Sequence, residues 1–275
     1  MAGYGATVKL PCGILYPEIP NGEVSIQPMG TLEEKYFSAE NLRHYEKINR
    51  LIQGCVDLPM VRDEKTGKEV KFDPMNLTIQ DRFFLMWEIR ILSWGPEYTF
   101  PFRCEDCNGK SVTKISMRDI PVNYMDPGKE YPFSTDLPNG DVVTWRLLTG
   151  KDEVAILQQG ERLQRKVKDL KSLGDPEYIH RLALRIVTVN GEEKGLIQRM
   201  SYVEGLRGMD SLTYRDAVSQ VKVGPELEGE WECSLCNYLN GPMALPISSD
   251  FFRRRLDQSA DTGSGVPTSG NPPSA

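Results

Sequence analysis

Two short stretches, Cys104-Glu105-Asp106-Cys107 and Cys233-Ser234-Leu235-Cys236, decide how the fold of this chain is interpreted. Each stretch, here called a knuckle, places two thiols three positions apart, so that a tight turn can direct both sulfurs at one ion. Four thiolates in a tetrahedron are the ligand set that a structural zinc ion prefers. The knuckles are separated by 125 residues, 108–232, whereas a local zinc ribbon has about 15–20 between its pairs. A shared zinc would therefore tie the middle of the chain to its C-terminal part.

Two other interpretations of the knuckles must be weighed, namely separate or metal-free thiols and redox dithiols. A redox pair of the thioredoxin type begins a helix that follows a strand. Here each knuckle is followed by a polar turn, Asn108-Gly109 in the first case and Asn237 in the second, and then by a strand-like pattern. We therefore predict one structural zinc ion with four protein ligands, Cys104, Cys107, Cys233 and Cys236.

The charge and hydropathy of the chain exclude several classes of protein. Its 275 residues carry a formal net charge of −6, which opposes general attraction to nucleic-acid phosphates or an anionic membrane surface. The sequence contains no apolar run of about 18 residues, so we expect no membrane span. Residues 1–10 lack the charged and apolar regions of a secretion signal. Paired thiols in such a chain fit a reducing cytoplasm better than a disulfide framework.

The remaining residues that could bind metal or act as catalysts are few. The two histidines, His44 and His180, are too few for a histidine-based site, and we expect both on helix surfaces. The two other cysteines, Cys12 and Cys55, stand alone in sequence and are predicted to be small buried hydrophobes. No glycine-rich phosphate loop and no nucleophile elbow occurs. The sequence therefore favours a protein that is not an enzyme.

The alternation of apolar and polar residues predicts an α+β fold that is mostly helical, with short antiparallel strands and a zinc ribbon split between the two distant knuckles. We expect an N-terminal strand and turn segment at 1–30, a helical region at 31–100, a ribbon and β region formed by 101–150 and 228–250, a helical insertion at 151–227, and a disordered tail at 258–275. The tail is expected because Ser, Gly, Pro, Thr and Ala dominate it.

One helix is predicted with particular clarity, at 79–94. Thr78 can cap its start, with Asp81 three residues on, and Gly95-Pro96 ends it. An apolar stripe that includes Phe84 and Trp87 requires burial, which predicts a core helix. Within the N-terminal segment, residues 13–16 are predicted to form a short strand.

A zinc ribbon that binds nucleic acid is the alternative function. Such ribbons use basic and aromatic residues around their knuckles. Here the surroundings are acidic, which makes nucleic acid an unfavourable partner; the acidic residues are Glu105, Asp106, Glu228, Glu230 and Glu232. A metalloenzyme is a third and weaker alternative, because it needs an open coordination position.

The order of segments resembles a known family, the baseplate hub assembly proteins of contractile-tailed, T-even-type phages. The resemblance spans residues 8–252 and lies in the order of several short segments. These segments are Leu10-Pro11-Cys12-Gly13 with Tyr16, the strand at 23–26 before Pro28 and Thr31, the run from Asp81 to Arg90, then Ser93, Gly95 and Tyr98, the first knuckle, the turn at Asn139-Gly140, the stretch 182–191 and the second knuckle.

The resemblance implies a non-enzymatic tail protein, either a baseplate hub component or an assembly factor that acts as a tail assembly chaperone. Its partners would be other tail or baseplate proteins, the hub or the tape-measure protein, with no nucleic acid and no membrane. It would act in the cytoplasm of the bacterial host during assembly or in the virion baseplate. The sequence leaves open whether copies of the chain associate with one another.

Overall fold

The computed structural model describes residues 5–39, 41–166, 174–247 and 251, apart from the side chains of 38 and 166. The fold belongs to the mixed α+β class, as predicted, with helices and several short antiparallel sheets. The described residues are 39% helical, so the prediction of a mostly helical chain is not confirmed. The predicted disordered tail at 258–275 lies outside the described residues. No helix in these ranges has both the length and the apolar character needed to cross a membrane.

The described helices follow the chain in the order α1 (Thr31–Ser38), α2 (His44–Cys55), α3 (Ile79–Trp94), α4 (Gly150–Lys166), α5 (Tyr178–Arg185), α6 (Leu196–Gly205) and α7 (Gly208–Gln220). The strands are β1 (Ala6–Lys9), β2 (Glu23–Ile26), β3 (Val56–Asp57), β4 (Met60–Arg62), β5 (Glu69–Lys71), β6 (Glu97–Arg103), β7 (Lys110–Ser116), β8 (Val122–Asn123), β9 (Phe133–Asp136), β10 (Val142–Trp145), β11 (Ile186–Val189), β12 (Glu192–Glu193), β13 (Gly224–Pro225), β14 (Glu228–Glu232) and β15 (Leu239–Ala244).

The predicted core helix is confirmed as α3. The Thr78 hydroxyl accepts a hydrogen bond from the Asp81 N–H at 3.2 Å, which caps the helix start. Phe84 and Trp87 are buried in the larger of the hydrophobic clusters. The cluster also takes in side chains from β2, β3, α2 and β6. The helix α3 therefore connects the N-terminal sheet to the strand that leads into the first knuckle.

The strand predicted at 13–16 is wrong, because Gly13–Leu15 forms a 3-10 turn. The Cys12 N–H and the Tyr16 hydroxyl both donate to the Asp81 carboxylate, at 2.8 and 2.6 Å. An extended strand would place these two residues about 13 Å apart, too far for both to reach one carboxylate. The turn also brings Gly13 so close to Gly22 that a Cβ on Gly13 would lie 2.7 Å from the Gly22 Cα.

A second hydrophobic cluster lies on a four-stranded antiparallel sheet in the order β12-β11-β10-β9. The turn residues Asn139-Gly140 between two apolar runs predict a hairpin, and β9 and β10 form it, with Trp145 opposite Phe133. Its second strand pairs with β11, where Val143 lies opposite Val189. The hairpin at 133–145 lies within the segment 101–150, which was expected to form part of the ribbon and β region. It shares a sheet with residues 186–193.

Candidate metal centre

The first knuckle is the turn of the hairpin formed by β6 and β7. These strands pair without a break from Glu97 opposite Ser116 to Arg103 opposite Lys110. The hairpin closes with a hydrogen bond from the Cys104 N–H to the Gly109 carbonyl at 3.0 Å. The second knuckle is the turn between β14 and β15, where the Cys233 N–H donates to the Tyr238 carbonyl at 2.9 Å.

The two knuckles adopt the same local turn. The residue after the second cysteine is asparagine in both, and both asparagines have left-handed backbone, with φ 56° at Asn108 and 60° at Asn237. Asparagine tolerates this conformation better than most residues. The equal turns place both sulfurs of each pair at the end of one hairpin, close to the other pair.

The four cysteine sulfurs meet in one cluster, in which all sulfur atoms lie within 4.8 Å of one another. The Cys104 sulfur is 3.7 Å from that of Cys236, and the Cys107 sulfur is 3.8 Å from that of Cys233. A tetrahedron with zinc–sulfur bonds of about 2.3 Å has edges of about 3.8 Å. A disulfide would instead require about 2.05 Å. The geometry therefore fits four free thiolates around one ion.

The sulfurs differ in their exposure to solvent. Cys104 and Cys233, the first cysteine of each knuckle, are buried, whereas Cys107 and Cys236 are exposed. The centre thus lies at the surface, with one buried and one exposed cysteine in each pair.

Local hydrogen bonds and the mutual proximity of the sulfurs shift their pKa values in opposite directions. Desolvation acts to raise the pKa of Cys233, but the N–H groups of Leu235 and Cys236 outweigh it and lower the value to about 6. The pKa of Cys236 is raised to about 12, because the N–H of Tyr238 is outweighed by desolvation and by hydrogen bonds with the other sulfurs, that of Cys107 first. Four thiolates this close repel one another. A divalent cation would remove that repulsion, so the donor set fits a metal such as zinc.

Two hydrogen bonds join a side chain of one hairpin to the backbone of the other hairpin's knuckle. The Ser111 hydroxyl oxygen accepts from the Ser234 N–H at 2.9 Å, and the Asn240 side-chain oxygen accepts from the Glu105 N–H at 2.7 Å. Ser111 and Asn240 each stand seven residues after the first cysteine of their own knuckle, at 104 and 233. Each accepts from the residue just after the first cysteine of the other knuckle. The contacts are therefore related by approximate two-fold symmetry.

Sequence reasoning missed both of these side chains. Ser111 and Asn240 are 0% exposed, although each occupies an inward position of a strand where an apolar residue would be usual. The signal that could have found them is the polar residue at the same offset from both knuckles.

Aromatic and arginine contacts attach the ribbon to α3. The Phe100 ring meets the Trp231 ring edge-to-face at 5.2 Å between centroids, which joins the two hairpins. Arg90 donates to the backbone carbonyl of Glu97 at 2.8 Å and to that of Phe251 at 3.4 Å. Phe251 is fully buried.

The surroundings of the centre are acidic at the surface, as the sequence indicated. The outer face of β14 exposes Glu228, Glu230 and Glu232, and the first knuckle exposes Glu105 and Asp106. No ion pair within 4 Å joins these five carboxylates to a cation among the described residues. Such a rim repels phosphate.

The other cysteines and the histidines lie away from the four-sulfur cluster. Cys12 and Cys55 are buried, at 0% and 2% exposure, which confirms the prediction of small core residues. His44 is exposed as expected. The prediction for His180 is wrong, because it is only 6% exposed, and neither ring nitrogen has a hydrogen-bond partner. The helix α5, which carries His180, contacts both α4 and α6, and periodicity alone does not reveal this packing.

No protein-family model, curated protein or solved structure matches this chain.

Proposed function

We propose that this chain is a non-enzymatic scaffold, closed by one structural zinc ion, that binds other proteins. The observation that carries the proposal is the cluster of four cysteine sulfurs drawn from two hairpins. Zinc in such a set is four-coordinate, with every position taken by the protein, so that no position is left for a substrate. The ion would supply folding free energy in place of catalysis.

The setting of the proposal is the assembly of a contractile phage tail. It is supported by the resemblance of the segment order to the baseplate hub assembly proteins. In this setting the partner is another tail protein, the hub or the tape-measure protein, and the zinc-bound scaffold acts as hub component or assembly chaperone.

Two helices carry exposed apolar side chains that such a partner would cover. Ile197 on α6 is 81% exposed, and Met209 and Leu212 on α7 are 61% and 38% exposed. Side chains of this kind lose unfavourable contact with water when a partner covers them. The acidic rim of the ribbon makes the alternative, a nucleic-acid binder, less favourable.

The zinc part of the proposal is tested by metal analysis of the purified full chain. We expect one zinc per chain, and after exchange with Co²⁺ the absorption spectrum of four thiolates in a tetrahedron. A wild-type chain without bound metal, or a spectrum with fewer than four sulfur ligands, would contradict the closed site.

The partner is tested by affinity purification of the tagged chain from phage-infected cells, followed by identification of the tail proteins retained. We expect a hub or tape-measure protein with the wild type and less of it with Ile197→Asp. The matched control is Glu193→Gln, a change at another exposed position. Retention of no tail protein, or equal retention by both variants, would count against the proposal. A salt-dependent gel shift on DNA or RNA would favour the alternative.

A further inference from the structure

The two hydrogen bonds that cross between the knuckles have a function beyond local stability. We propose that Ser111 and Asn240 are positioning residues that hold the two knuckles as one preorganised four-sulfur site before the ion binds. The inference rests on the proposed zinc centre and identifies residues outside the ligand set that determine how tightly this chain retains its metal.

The need for positioning follows from the distance between the knuckles along the chain. Each knuckle supplies only two sulfurs, and 125 residues separate them, 108–232. Without a link between the hairpins, the metal would have to bear the free-energy cost of bringing them together. A link that exists in the metal-free chain removes that cost from metal binding.

The geometry of the two bonds meets this need. Each acceptor lies on the strand that leaves one knuckle, and each donor is the N–H next to the first cysteine of the other knuckle. Those first cysteines, Cys104 and Cys233, are the two buried ligands. The bonds therefore fix the backbone at the residue that follows each of the two buried cysteines.

Asn240 has a further function within its own hairpin. Its amide nitrogen donates to the carbonyls of Trp231 and Tyr238, both at 3.1 Å, while its oxygen accepts from Glu105. One side chain thus joins three backbone positions in both hairpins. Ser111 makes the equivalent inter-knuckle bond with one atom, and its oxygen also lies 3.0 Å from the Ser234 hydroxyl.

The chain offers a matched control for Ser111. Ser111→Ala removes the acceptor of the inter-knuckle bond. Ser234→Ala removes the hydroxyl on the other side of the same contact but keeps the backbone N–H that donates to Ser111. Both variants remove one hydroxyl from this contact, but only Ser111→Ala also removes the crossing bond and the hydrogen bond between the Ser111 side chain and the Cys233 sulfur.

The experiment measures zinc affinity by competition with a chromogenic chelator, and the rate at which the chelator removes zinc. We expect Ser111→Ala and Asn240→Ala each to bind zinc about 10–100-fold more weakly than the wild type, the range seen when partners outside the ligand set are lost. Ser234→Ala should stay within about twofold of the wild type. The Co²⁺ spectrum should be the same in all four proteins, because the ligands are unchanged.

Two results would overturn the inference. One is wild-type affinity in Ser111→Ala, and the other is an equal loss in Ser111→Ala and Ser234→Ala. If Asn240→Ala does not fold, the serine pair decides the question alone. A wild-type chain that binds no zinc would instead refute the proposed zinc centre, so the two failures are distinguishable.

Discussion

Asp81 shows how much one buried side chain organises in this protein. It is 0% exposed, and its carboxylate accepts hydrogen bonds from Cys12, Tyr16 and Thr78. Tyr16 also accepts from the Thr78 N–H at 2.8 Å, so that its hydroxyl both donates and accepts. Buried polar groups persist in a core only when they are satisfied in this way. The network fixes the N-terminal segment to the start of α3.

Tyr16→Phe tests this network. The change leaves the Thr78 N–H without an acceptor and removes one donor from Asp81. We expect a loss of about 1–3 kcal/mol in the free energy of unfolding, the cost of an unsatisfied buried group. Urea unfolding measures it, with Tyr178→Phe, at a 37% exposed position, as the control that should change stability little. Equal effects of the two variants would show that the network contributes nothing beyond packing.

His180 gives a prediction for pH. Burial lowers the pKa of His180, and the Asp152 charge only partly opposes this effect. A folded-state pKa below the unfolded value means that the unfolded chain binds more protons between the two values. The stabilising contribution is therefore complete above about pH 6.5 and is lost as pH falls below it.

The measurement for His180 is the unfolding free energy of the wild type and of His180→Leu between pH 8 and pH 5. The wild type should lose stability relative to His180→Leu as pH falls, because only the wild type has to keep a buried imidazole neutral. A His180→Leu profile parallel to that of the wild type would contradict the prediction.

Among the elements, α3 does more than fill the core. Arg90, at 6% exposure, lies near its end and donates to the carbonyls of Gly95, Glu97 and Phe251. These three carbonyls belong to the helix end, to the start of β6 and to the buried Phe251. Hydrogen bonds to a charged donor are stronger than neutral ones. The helix thereby orients the hairpin that carries the first knuckle.

Arg90→Met should separate this function from simple packing, because methionine keeps much of the apolar stem. We expect a loss of about 1.5–3 kcal/mol in unfolding free energy, since three backbone carbonyls, one in a buried and two in part-buried contacts, lose a charged donor. Arg43→Met is the control, because its ion pair with Glu161 is exposed and worth about 0–1 kcal/mol. Comparable stability of the two variants in urea would argue against the anchoring function.

At the scale of the whole molecule, the proposed zinc joins the middle of the chain to its C-terminal part, and the larger hydrophobic cluster, which includes Phe100 and Trp231, also joins the two hairpins. Loss of the ion should therefore weaken the fold without abolishing it. For the zinc-loaded wild type we expect a chelator to lower the thermal midpoint by roughly 10 °C, the effect of about 3–5 kcal/mol in a domain of this size.

The control for chelation is Cys233→Ser combined with Cys236→Ser, which removes half of the ligands. Its thermal midpoint should match that of the chelated wild type and should not respond to the chelator. An equal response of both proteins would show that the chelator acts by some route other than the four-sulfur site.

The sequence by itself determined the local features of this protein. The caps and apolar stripe of α3, the hairpin around Asn139-Gly140 and the strands that flank each knuckle follow from turn chemistry and periodicity, which act over a few residues. The four candidate ligands were also predicted from their spacing.

Only the tertiary structure decided which distant residues meet. It placed the four sulfurs together, assigned Ser111 and Asn240 to the contacts between knuckles, buried His180, and turned residues 13–15 toward Asp81. The physical reason is that such contacts depend on the packing of elements far apart in sequence. A polar residue in a strand shows no local sign of the partner that it will satisfy across the molecule.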